Sequence, residues 1–91
     1  MANIHIKKAH QLSRDDARRR VEDIAEDLKQ KLHVQYAWKG DSLMFKRPGA
    51  QGTIELGEGF VDVTVKLGLL VAPMKDKIEA QIKEKIDTYL V

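Results

Sequence analysis

A chain of ninety-one residues, 33% charged and 43% apolar, has the composition of a folded protein rather than of a disordered one, and no stretch departs from it enough to mark a linker, so residues 1–91 are expected to form one domain. Net charge is only +2, from sixteen basic and fourteen acidic residues that alternate along the chain, which leaves little electrostatic reason to bind nucleic acid or an anionic membrane. The absence of cysteine excludes disulfides, thiolate nucleophiles and cysteine-rich zinc sites, and permits a reducing compartment.

At this length folding buries roughly 60–65% of the unfolded chain's surface, so any pocket is expected to be small or shared between subunits. The start, MANIHIKKAH, has no long apolar run and does not read as a secretory signal. The longest apolar run, Leu69 to Pro73, is far too short to span a bilayer. A cytoplasmic protein with no membrane span is the expectation.

In chain order, Ile4 and Ile6 alternate with His5 and Lys7 and predict a short strand. Ser13 is the next helix N-cap, and Asp16 three residues on approximates a capping box. Ala17, Val21, Ile24, Ala25, Leu28 and Leu32 then recur at helical spacing and predict a helix over residues 14–32.

Three turn signals organise the middle of the chain. Gly40-Asp41 between Lys39 and Ser42 is a two-residue hairpin loop of type II′ character, which pairs Trp38 with Leu43 and Tyr36 with Phe45. Arg47-Pro48-Gly49-Ala50 is the second, with a register expected to set Phe45 opposite Ile54 and Leu43 opposite Leu56. Gly57-Glu58-Gly59 is the third, setting Leu56 against Val61, Ile54 against Val63 and Gly52 against Val65. All three place the apolar side chains on one face. The other face is largely polar, and there Glu55 meets Asp62, which calls for solvent or a basic neighbour such as Lys46 or Lys66.

A last helix is expected from near Pro73 to the C-terminus, with Met74, Ile78, Ile82, Ile86, Tyr89 and Leu90 on its apolar side. One amphipathic sheet and two amphipathic helices need one another. The predicted class is therefore α+β, in the order β-α-β-β-β-β-α. Its antiparallel five-stranded sheet has the spatial order 1-5-4-3-2, with both helices on one face. Trp38 is expected to lie against the C-terminal helix near Ile82 or Ile86.

Chemistry is sparse. The three histidines do not converge: His5 and His10 would point to opposite faces of one strand, and His33 falls at a helix C-terminus, where a cation is favoured. His10 sits at the join of strand and helix and is the one candidate functional turn histidine, with satisfaction of a turn as the simpler reading. Ser13 and Ser42 are accounted for as a cap and a turn residue, and no nucleophile elbow, phosphate-cradling loop or zinc-protease motif is present. No catalytic, cofactor-binding or metal-binding residues are assigned.

Arg18, Arg19 and Arg20 splay around a helix instead of forming a patch, and five aromatics, most of them on the core face, provide no stacking platform for single strands. The run Leu69-Leu70-Val71 reads either as core at a tight strand-to-helix corner or as an apolar rim that meets a partner. By continued alternation Leu69 turns inward and Leu70 outward. Leu69, Leu70 and Val71 form the candidate interaction surface.

The segments IHIKKAHQL, ARRRVEDIA, YAWKGDSLMF, GAQGTIEL and VKLGLL before IEAQI, taken in that order and spacing from Ile4 to Ile86, resemble the polyhydroxyalkanoic acid system family. These are small bacterial proteins named for the polyester-granule gene region. The resemblance implies a cellular context and carries over no catalytic residue. The element order is also similar to a reduced helix-grip arrangement lacking one helix and some strands, which argues against a deep lipid-type cavity.

The function expected on this basis is that of a non-enzymatic accessory protein of polyhydroxyalkanoate metabolism, acting by apolar surface or protein contacts. Its partners would be the polyester granule surface or granule proteins, or a second copy in a homodimer. The alternative is a small ligand-binding or acyl-handling domain with its pocket between sheet and C-terminal helix. An enzyme of acyl metabolism is the third reading.

Overall fold

The computed structural model describes residues 2–90. Its elements are β1 (Ala2–Ala9), α1 (Arg14–Leu32), β2 (Gln35–Lys39), β3 (Ser42–Arg47), β4 (Ala50–Gly57), β5 (Phe60–Leu67), a 3-10 turn (Ala72–Met74) and α2 (Lys75–Tyr89). The five strands form one antiparallel sheet in the order β1-β5-β4-β3-β2, as the alternation and turns predict. Extension of the last helix to Val91 lies outside the described residues.

Local chemistry explains the element ends. The Ser13 hydroxyl accepts from the Asp16 backbone N–H at 3.1 Å and opens α1, while Asp15 and Asp16 occupy its positively polarised first turn. His33 closes the helix in the left-handed region at φ 58°, with its N–H donating to the Lys29 carbonyl at 3.0 Å. Gly40 has φ 61° while Asp41 does not enter the positive region, which fits the type II′ loop.

The core is a single layer between one face of the sheet and the two helices. Ile4 from β1, Leu43 from β3, Ile54 from β4 and Val61, Val63 and Val65 from β5 meet Val21, Ile24 and Leu28 from α1 and Ile82 and Ile86 from α2. No polar or charged side chain among the described residues is fully buried. The helices divide the face: α2 lies over β1, and α1 runs over β4 towards the β2 edge.

That division corrects the expected position of Trp38. The indole packs on α1, with its Nε1–H donating to Glu22 Oε1 at 3.0 Å and the Arg18 guanidinium 4.0 Å from the ring centroid. It is not against Ile82 or Ile86, because β2 is the edge strand farthest from β1, where α2 sits.

The register between β3 and β4 also differs from the expected one, by two residues. Leu43 pairs with Ile54, and Phe45 pairs with Gly52. A shift of two preserves which face each side chain occupies, so alternation alone does not detect it. The cause is a tighter turn, in which Pro48 and Gly49 are the only loop residues and Gly49 takes φ 87°, the arrangement of a type II turn. Steric room favours the same pairing, since the Phe45 ring lies over the bare Cα of Gly52. The pairings of β2 with β3 and of β4 with β5 are as expected.

A methyl group on Gly52 would stand 2.5 Å from the Phe45 ring and 2.8 Å from the Thr64 carbonyl oxygen, and the second neighbour is backbone that cannot rotate away. Gly52→Ala is therefore expected to destabilise the protein by about 1–3 kcal/mol. Thermal unfolding followed by circular dichroism checks this, since each kcal/mol corresponds to a drop in Tm of roughly 4–8 °C in a domain of this size.

Candidate functional site

The strand-to-helix corner after β5 is shaped by two glycines. Gly68 N–H donates to the Gly49 carbonyl at 2.8 Å and ties the corner to the β3–β4 turn. The approach is close enough that a Cβ on Gly49 would meet Val71 Cγ2 at 2.8 Å and one on Gly68 would meet the Gly49 oxygen at 3.3 Å. The chain then reverses, with Val71 and Ala72 N–H both donating to the Gly68 carbonyl, at 3.1 and 2.9 Å.

This reversal extrudes the two leucines: Leu69 is 80% exposed and Leu70 96%, with Met74 beside them at 49%. Leu69 thus does not continue the inward alternation of β5, because the strand ends at Leu67 and the turn at Gly68 breaks the two-residue period. Val71 folds back, half-buried, against the core. Of the three residues in the candidate surface, two form an apolar tip and the third forms its base.

Beneath that base a cleft of about 320 Å³ opens between the last turn of α1, the neighbouring end of β3, β4 and β5, and the first turns of α2. Its walls include Leu28, Phe45, Val65, Val71 and Ile82. Polar groups enter only from Arg47, Lys77 and Gln81. Arg47 is held in place by its Nη1–H donating at 2.9 Å to the Leu32 carbonyl, one of the free acceptors at the end of α1. A broader concavity of about 500 Å³ lies on the opposite sheet face, where the strands are bare of helices and where Lys46, Gln51 and Lys66 reach solvent.

The polar side chains outside this region form structural clamps. His10 takes the turn role: its ring Nδ1 accepts from the Leu12 N–H at 3.1 Å and its backbone N–H donates to the Gly59 carbonyl at 2.9 Å. Nδ1 as acceptor leaves the proton on Nε2, which is buried without a partner among the described residues. Neither His5 nor His33 comes near it, since His5 lies on the outer sheet face and His33 at the far end of α1.

Glu55 and Asp62 do face each other across β4 and β5, but the basic neighbour is His5 from β1, bonded to Asp62 through Nε2, and not Lys46 or Lys66. No group of three or more metal-ligating side chains comes together among the described residues.

Two further clamps join α1 to its neighbours. Glu22 binds Trp38 through Oε1 while its Oε2 is buried without a partner, and the nearby carboxylate, with desolvation adding to it, pushes the Tyr36 phenol far above its ordinary pKa. A phenol shifted in that direction stays protonated and is no base. Asp27 accepts from Tyr89 Oη at 2.7 Å and from Lys85 Nζ at 3.1 Å, linking α1 to α2. These hydrogen bonds, Tyr89 first, hold the Asp27 carboxyl below its ordinary value. Neither cluster was visible in the sequence, because each joins residues from elements whose relative placement comes from packing.

Residues 4–90 match the model of a protein family described as "Putative polyhydroxyalkanoic acid system protein". The chain belongs to that family. Apart from the first two residues of β1, the match takes in every described strand and helix, including the corner at Leu69 and the cleft beside it. No curated protein and no solved structure matches the chain. Among the described residues no helix is long and apolar enough to cross a membrane.

The Asp27 clamp has a pH signature. A carboxyl whose pKa is lower folded than unfolded adds stability above its unfolded value, about 3.9, and that stability disappears as pH falls through the folded value. Asp27→Asn is expected to lower Tm at neutral pH, and the gap to the parent protein should close as both are acidified below pH 3.9. A gap that stays constant down to the acid transition would show that the clamp contributes through shape and not through charge.

Proposed function

We propose that this member of the polyhydroxyalkanoic acid system family is a cytoplasmic, non-enzymatic accessory protein that sits on the polyester storage granule through the tip formed by Leu69 and Leu70. The observation that carries this reading is the pair of adjacent leucines held almost fully in solvent by a corner whose backbone is hydrogen-bonded and tightly packed. A turn that merely connected a strand to a helix has no need of two large aliphatic side chains at its apex, where serine or asparagine would cost nothing. Transfer of one such leucine from water to an apolar surface is worth about 1.5–3 kcal/mol, so two per molecule can offset part of the cost of association. A storage polyester presents an extended apolar surface on which many copies settle side by side.

The family supports the granule as the surface in question. Among the described residues no nucleophile, acid and base converge around either concavity, which supports a binding role over a chemical one. The tip lies outside the core, so charging it has little effect on folding, within about 0.5 kcal/mol.

The experiment is to compare Leu69→Glu and Leu70→Glu with the parent protein for co-purification with polyester granules and for mass by sedimentation. Loss of granule association at unchanged mass is the expected result. A change in mass with the granule interaction retained would assign the tip to a homodimer instead. Unchanged association and mass in both folded variants would remove this surface from the function of the protein.

A further inference from the structure

We infer that the cleft between the sheet and α2 is a binding site for a linear aliphatic monocarboxylate of medium chain length. This goes beyond the granule-surface role, because the cleft lies to the inside of the corner and shares only Val71 and Met74 with its apolar tip.

Three features define the ligand. The first is shape and lining. At about 320 Å³ the cleft falls at the lower end of the range for small-molecule sites, roughly 300–1,000 Å³, and eleven of the fourteen side chains around it are apolar. Only one of those, Phe45, is aromatic, so the walls suit a flexible aliphatic chain better than a planar ring.

The second feature is charge. The ionisable groups at the cleft are Arg47 from the β3 end and Lys77 from the first turns of α2, with no carboxylate among the lining residues. Neither cation forms an ion pair among the described residues. Two cations in the lining of an otherwise apolar cleft complement a molecule with an anionic head and an apolar tail. A guanidinium presents paired N–H groups that match the two oxygens of a carboxylate.

The third feature is preorganisation. One N–H of Arg47 is spent on the Leu32 carbonyl at 2.9 Å, which anchors the head at the end of α1 and leaves its other donors free. The Gly49–Gly68 contact holds the β3–β4 turn and the corner together, so the walls contributed by Ala50 and Val71 are fixed before a ligand arrives. The cost of ordering the site is therefore met in folding rather than in binding.

The test is an NMR titration of the ¹⁵N-labelled full chain, free of granules, with butyrate, octanoate, dodecanoate and octanol. Octanoate is expected to shift the amide signals of Leu28, Val65, Val71 and Ile82 together. Kd should tighten about fourfold for each methylene from butyrate upward, and the gain per methylene should fall off before dodecanoate as the cleft fills. Octanol, which lacks the charged head, should bind at least about tenfold more weakly than octanoate.

Lys77→Gln and Arg47→Gln should each reduce that preference for acid over alcohol. Should Arg47→Gln fail to fold once its contact with Leu32 is lost, Lys77→Gln alone decides the charge contribution. Ala50→Leu should weaken octanoate more than butyrate by occupying the cleft. Absence of octanoate shifts at these residues in the folded parent protein, or equal affinity for octanoate and octanol, would overturn the inference. Because no granule is present, either result leaves the role of Leu69 and Leu70 to be judged on its own measurement.

Discussion

Every strand of the sheet carries its apolar side chains towards the same side, and a sheet that is apolar on one face has to be covered on that face. Among the described residues α1 and α2 are the cover, and they divide the task, α2 over β1 and α1 over β4 and the β2 edge. The other features of the molecule follow from how well two helices close over five strands. Where they meet, polar clamps such as Asp27 with Lys85 and Tyr89 bridge them at the surface. Where they diverge, a cleft lined by apolar side chains is left between them.

That opening lies at the end of the sheet formed by the β3–β4 turn and the end of β5. The C-terminal end of α1 and the N-terminal end of α2 approach it without filling the space between them, and this is why the cleft is lined by core residues together with Arg47 and Lys77. The same corner carries the exposed leucines outward. An apolar tip and an apolar cleft therefore occur side by side for one physical reason: the short connection from β5 to α2 has to reverse direction where the helical cover runs out. A granule-bound protein whose cleft faces the same end would hold that cleft near the surface it sits on.

Much of the architecture was legible because its signals are local. The Ser13 cap, the apolar stripe from Ala17 to Leu32, the Gly40-Asp41 loop and the alternation of β2 to β5 each depend on neighbours in the chain, and each appears as read. Family membership was legible too, since it depends on the order of such segments. The misread features are those in which distant elements compete. Alternation specifies a strand register only to within two residues, so the pairing of Phe45 with Gly52 needed the tight Pro48-Gly49 turn and the bulk of the aromatic ring to decide it. Trp38 was assigned to the correct face but to the wrong helix, because the period of a strand says which side is inward and nothing about which partner lies there.

The candidate sites divide along the same line. Residue types and spacing by themselves determined that the chain is α+β with a one-sided sheet and that its histidines do not converge, and they left Leu69, Leu70 and Val71 open between core at a tight corner and an apolar rim. Only the tertiary structure decided that Leu69 and Leu70 face solvent while Val71 turns back. That outcome rests on a hydrogen bond between Gly68 and Gly49, nineteen positions apart in the chain, which no local pattern encodes. The cleft was likewise decided by tertiary structure, because a cavity is the space two packed layers fail to fill. Its walls come from α1, three strands, the corner and α2, and its charge comes from Arg47 and Lys77, thirty positions apart in the chain and brought to one cleft by packing.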